Sequence, residues 1–164
     1  MRNSDLEERA LTKARNAAYR LLTYRPRSRA EIEAKLADKG FNDEIIAAVL
    51  ADLARLGYVN DLQFARDWTR GRIRLRGLGR RRIGLELKNK GISQEMIREV
   101  FAEVFSEETE SETAKLVVEK RLNTMKALDR ETRRRRLAGF LERKGFSFDI
   151  IRNVLRDTDR NVRE

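Results

Sequence analysis

A six-residue phrase closing on Lys-Gly and an apolar residue occurs three times in this chain, as Leu36-Ala37-Asp38-Lys39-Gly40-Phe41, Leu87-Lys88-Asn89-Lys90-Gly91-Ile92 and Leu141-Glu142-Arg143-Lys144-Gly145-Phe146. The three glycines lie 51 and 54 residues apart. Four and eight positions before each glycine stand Leu36 and Ile32, Leu87 and Ile83, Leu141 and Leu137, so two apolar residues share one helical face. A lysine then faces the negative end of the helix dipole, and glycine takes the left-handed conformation that closes it. Two residues on, Asn42, Ser93 or Ser147 can cap a second helix. That helix repeats its apolar positions too: Ile45, Ile46, Val49 and Leu50, then Met96, Ile97, Val100 and Phe101, then Ile150, Ile151, Val154 and Leu155. A period of about 50 residues is that of a helical repeat array.

Composition agrees with this. The 164 residues are 40% apolar and 39% charged, a balance that supports amphipathic helices but only thin cores, and one proline with nine glycines leaves little room for a turn-rich β architecture. The expected fold is all-α, an elongated array of three tandem three-helix, helix-turn-helix-like modules at 1–59, 60–108 and 109–164, with about nine helices, each module leaning on its neighbours.

Local signals place the helices. Ser4 with Glu7 reads as a capping box opening a first helix that ends near Tyr24, before Pro26. Ser28 with Glu31 opens the second, Asn42 the third, which closes at Gly57, and Asn60-Asp61 the fourth. Phe64, Ala65 and Trp68 form a core face on that fourth helix. Gly77 and Gly79 read as a flexible turn before a helix from Arg80 to Lys90, with Ser93 to Phe105 next. Residues 103–112 hold five acidic groups and no basic ones, which reads as a solvated junction with some give. The third module takes Ala114 to about Met125, Asp129 to Lys144, and Ser147 to about Asp157, with a tail that frays after Thr158.

The net charge of +10 points to polyanionic partners, nucleic acid first. It is concentrated. Residues 66–90 hold ten basic groups (Arg66, Arg70, Arg72, Arg74, Arg76, Arg80, Arg81, Arg82, Lys88, Lys90) against two acidic ones (Asp67, Glu86). The helix start at Gly79-Arg80-Arg81-Arg82 lacks the capping box found at Ser28-Arg29-Ala30-Glu31. Arginines in a first turn oppose the dipole, so exposed amides beside guanidiniums suit an anion such as phosphate. A second run, Arg133-Arg134-Arg135-Arg136, could bind in the same way, or be solvated, or pair with Glu131 and Glu142. The Gly77-x-Gly79 pair follows no strand and lacks both a third glycine and a Gly-Lys-Ser/Thr, so a nucleotide loop is not indicated.

Catalysis has little to draw on, since histidine and cysteine are absent. Nucleophile systems built on either, thiolate metal sites and disulfides are excluded. The carboxylates are accounted for by capping and solvation, so neither metal nor other cofactor is expected. No apolar run reaches membrane-span length and no signal-peptide core opens the chain, which makes the cytoplasm the expected location.

The segment Leu56-Gly57-Tyr58-Val59-Asn60-Asp61, continuing as Asp61-x-x-Phe64-Ala65-x-x-Trp68 and then Gly77-x-Gly79-x-x-x-Ile83-x-x-Glu86-Leu87-x-x-Lys90-Gly91-Ile92, resembles the central signature of RecX, the bacterial regulatory protein of the RecA recombinase. The likeness runs from about Ala14 to Asp157. It implies a non-enzymatic, monomeric modulator that lies in the groove of the RecA filament, restrains its ATPase and strand-exchange activity, and binds single- and double-stranded DNA. The motif maps Arg70, Arg72, Arg74, Arg76, Arg80, Arg81, Arg82, Lys88 and Lys90 onto the contact surface, with Arg133, Arg134, Arg135 and Arg136 as a second basic run. The alternative is a free-standing helix-turn-helix-like DNA-binding protein with no filament partner.

Overall fold

The computed structural model describes residues 2–125 and 127–161. Nine helices and no strand occur among the described residues: α1 (Arg2–Tyr24), α2 (Arg29–Asp38), α3 (Asp43–Arg55), α4 (Asp61–Arg76), α5 (Arg80–Asn89), α6 (Gln94–Val104), α7 (Glu107–Leu122), α8 (Arg130–Lys144) and α9 (Phe148–Asn161). Backbone contacts divide the chain into two compact units, Met1–Ala65 with Lys88–Met96, and Arg66–Leu87 with Ile97–Glu164.

The threefold apolar register is the core. Ile32, Leu36, Ile46, Val49 and Leu50 are buried, as are Ile83, Leu87, Ile97, Val100 and Phe101, and Leu137, Leu141, Ile151, Val154 and Leu155. In the first unit, α1, α2 and α3 contact one another pairwise and enclose Ala14, Ala18, Leu53 and Val59 with the first of these sets. In the second unit α7, α8 and α9 do the same around Ala114, Val118, Met125 and Phe146. Each fully buried Leu or Ile contributes about 1.5–3 kcal/mol relative to exposure.

Helix ends follow the sequence signals closely. Ser28 accepts from the Glu31 amide while the Glu31 carboxylate accepts from the Ser28 amide, a complete capping box. Asn42, Asn60, Ser93 and Asp129 cap α3, α4, α6 and α8. Gly40, Gly57, Gly91 and Gly145 all have positive φ. Phe64 and Ala65 are buried as expected, whereas Trp68 is only half-buried.

Three expectations are corrected. Residues 103–112 are not a loose junction: Ser106 caps α7 by accepting from the Thr109 amide at 3.0 Å, so that helix starts seven residues before Ala114 and ends at Leu122 rather than Met125. Acids in a first turn favour a helix start, and that is what the acidic stretch provides. Residues 77–79 are buried, not a flexible turn. At the ends, α1 is already helical at Arg2, two residues before Ser4, whose side chain lies outside the described residues; α9 continues past Thr158 to Asn161.

One joint is built twice. In the first unit the Ser28 hydroxyl donates to the Lys90 carbonyl at 2.6 Å, and the Arg29 amide donates to the Asp61 carboxylate at 2.7 Å. In the second unit the equivalent Gly79 amide donates to the Lys144 carbonyl at 2.9 Å, and the Arg80 amide donates to the Glu110 carboxylate at 3.0 Å. Each time the start of a module's middle helix receives the Lys-Gly turn and an acid from the module that follows. Gly79 is required by this approach, because a Cβ there would lie 2.6 Å from the Gly145 carbonyl carbon.

Candidate basic interface

The start of α5 carries Arg80, Arg81 and Arg82, but its amides are not open to a phosphate. The Glu110 carboxylate takes the Arg80 amide and the Gly145 carbonyl takes the Arg81 amide at 3.0 Å. This corrects the expectation of exposed amides: the anion that the helix dipole favours is a carboxylate of the chain itself. Arg80 turns the same way, with its Nε 3.5 Å from Glu110 and its guanidinium 5.1 Å from the Phe105 ring centroid. Glu110 is buried, and sequence reasoning missed it. The clue was the missing capping box on α5, which obliged some other group to satisfy those amides.

Two other cations of the basic run are also held internally. Arg72 lies 2.6 Å from Glu86 and 3.9 Å over the Trp68 ring, and the Trp68 indole donates to the same carboxylate at 3.0 Å. In the first unit Lys90 bonds Glu31 at 2.7 Å and sits 5.8 Å from the Phe64 ring centroid. Arg66, outside the expected contact set, pairs with Glu103 at 2.7 Å.

What remains outward is narrower. Arg70, Arg74, Arg76 and Arg81 are exposed and have no carboxylate at ion-pair distance among the described residues. Arg70 and Arg74 are one helical turn apart on one face of α4. Arg82 is exposed and reaches Glu86 only at 3.7 Å. Lys88, in the other unit, is exposed. In the second run the partner is neither Glu131 nor Glu142: Arg134 bonds Asp159 of α9 at 2.6 Å, and Arg130 joins it at 3.1 Å. Arg130 first, and then Arg134, hold the Asp159 carboxyl below its ordinary value against the opposing effect of burial. Arg133 is half-buried, and Arg135 and Arg136 are exposed.

Glu31 gives the first unit a pH signature. Burial pushes its carboxyl up, but donation from Arg25, Lys90 and the Ser28 amide outweighs burial and holds it at about 2, from an ordinary 4.5. A carboxyl depressed in the folded state contributes stability above its unfolded value and loses it as pH falls through the folded one. The window is therefore from about 4.5 down to about 2. Solvent screening at this partly open site reduces the contribution to about 1–2 kcal/mol. Urea unfolding at stepped pH should show this loss in the native chain and a flatter profile in Glu31→Gln.

These features define a class: an all-α protein of tandem three-helix modules whose surplus charge rests on exposed arginines of its central segment. Models of the RecX first, second and third three-helix domains match residues 14–53, 60–100 and 108–155. The chain belongs to the RecX family of regulatory proteins. It is 36% identical over 154 residues to the regulatory protein RecX of Amycolatopsis mediterranei, covering 92% of this chain and 87% of that one. With the regulatory protein RecX of Streptomyces coelicolor it shares 38% over 143 residues, covering 87% and 76%. The crystal structure of RecX from Lactobacillus salivarius superposes with a TM-score of 0.83 at 26% identity, covering 93% of this chain and 98% of that one. No helix among the described residues is long and apolar enough to cross a membrane.

Proposed function

We propose that this chain is a non-enzymatic modulator of the RecA recombinase, acting in the cytoplasm as a monomer of three modules bounded near residues 59 and 108. It binds the groove of the RecA filament and DNA, single- or double-stranded, and so restrains recombination and repair. Membership of a regulatory family supports the role. The observation that carries the contact surface is the set of exposed guanidiniums at Arg70, Arg74, Arg76 and Arg81, none with a carboxylate at ion-pair distance among the described residues. Cations already neutralised inside the protein release few counterions from DNA, which sets Arg72, Arg80 and Lys90 aside as scaffold and leaves Arg82 and Lys88 as contributors.

For about six phosphate contacts, log K against log[salt] on duplex has a slope near −5, from about −0.9 per contact. Replacing Arg70, Arg74 and Arg81 together by alanine is expected to flatten that slope by about 2–3 while leaving the melting temperature in place. An unchanged slope takes these side chains off the DNA surface. Inhibition of RecA strand exchange at concentrations far below those that coat free DNA supports the filament reading. Inhibition only at coating concentrations supports a free-standing DNA binder instead.

A further inference from the structure

In the second unit, the end of α4, one face of α7 and the C-terminal part of α8 line a groove of about 590 Å3. Its floor is aliphatic: Ile73, Leu75, Leu116 and Val117, with Phe140 at one side. Two of these stand open to solvent, Leu75 at 77% and Leu116 at 57% exposure. Every charged residue lining the groove is a cation, Arg74, Arg76, Lys120, Arg121 and Lys144; Thr113 and Thr124 add neutral hydroxyls, and no carboxylate lines it. None of the five has a carboxylate at ion-pair distance among the described residues.

Lys144 is the most telling member. Its ammonium donates to the Arg76 carbonyl at the negative end of α4. Burial first, then the Arg76 guanidinium, push it below its ordinary value. A desolvated cation beside a second cation is relieved by an arriving anion. The exposed leucines that line the same groove are relieved by an apolar side chain.

We propose that this groove docks an acidic linear peptide that carries aliphatic side chains, its carboxylates meeting the cationic rim and a leucine-like residue covering Leu75 and Leu116. Charge complementarity calls for an anion, and the floor decides which one. Single-stranded nucleic acid binds by stacking bases on open aromatic faces. The one aromatic here, Phe140, already has the Arg121 guanidinium 5.4 Å and the Lys144 ammonium 5.5 Å from its centroid. The remaining surface is branched aliphatic, which suits a peptide side chain. Arg74 and Arg76 also belong to the proposed DNA surface, so the test leaves them unchanged and alters groove residues outside that surface.

The test is fluorescence anisotropy on the full chain with a short labelled peptide of alternating aspartate and glutamate around a Leu-Leu pair. The controls are the same peptide with Ala-Ala and an oligothymidylate of equal charge. The leucine peptide is expected to bind about tenfold more tightly than the alanine peptide. Lys120→Glu with Arg121→Glu, both exposed sites, should weaken it by at least about tenfold; Leu116→Ala should erase the preference for leucine. Circular dichroism melts confirm that the variants fold. Equal binding of the two peptides, indifference to charge reversal, or tighter binding of the oligothymidylate lost in the same variants would each overturn the assignment, the last by making the groove a nucleic-acid site.

Discussion

Gly145→Ala is expected to destabilise the chain by about 2–5 kcal/mol, the sum of about 1–2 for an alanine held in the left-handed region and about 1–3 for forced displacement of its neighbours. The glycine has φ +89, and a Cβ there would lie 2.3 Å from the Arg82 amide nitrogen and 2.9 Å from the Arg82 Cα. Backbone cannot swing aside as a flexible side chain can. The repeat supplies its own controls. Gly40 has φ +83 with nothing within 4 Å of an added Cβ, so Gly40→Ala should cost only the conformational part, about 1–2 kcal/mol. Gly91 has φ +75 and a Cβ there would lie 2.3 Å from the Ala30 Cβ, which places Gly91→Ala between the two. Urea unfolding of the three variants should rank them Gly145, Gly91, Gly40. Equal losses at Gly145 and Gly40 would mean that the close approach to Arg82 yields without cost.

Glu110→Ala is the second large effect, at about 2–3 kcal/mol. It removes the cap on the Arg80 amide, worth about 1 kcal/mol, and leaves the Arg80 guanidinium beside Phe101 and Phe105 without its counter-charge. Breaking a fully buried pair costs more; the Arg80 side chain is 42% exposed, which lowers the figure. Glu110→Gln keeps an acceptor for the amide and should lose less than the alanine variant. In an Arg80→Leu background, Glu110→Ala should cost only the cap. A cycle in which the two substitutions add independently would remove the ion pair from the energetics of this joint.

The repeat core was legible because its signals are local. Ile32 and Leu36, Ile83 and Leu87, Leu137 and Leu141 sit four apart on one face, and the glycine that ends each helix follows four residues after the second of the pair. The start of α7 was not legible, since residues 107–113 contain no apolar side chain and so give no periodicity to read. Ser106 and the acids after it were the marks, and both resemble a solvated polar stretch. Within the basic run the limit is different. Arg72 and Arg74 are the same residue two positions apart, yet Glu86 arrives from α5 to hold one, and among the described residues no carboxylate reaches the other at ion-pair distance. Which guanidinium faces outward depends on residues distant in sequence, so composition located the charge without sorting it.

The hydrogen bonds from Gly79 and Arg81 to Lys144 and Gly145 join main-chain atoms only. The Arg81 side chain takes no part in this seam, so substitution at Arg81 can re-tune the chain's outer chemistry without loosening the connection beneath. The constraint falls instead on bulk: this junction tolerates many different letters in its spelling, and is undone by a single added methyl group.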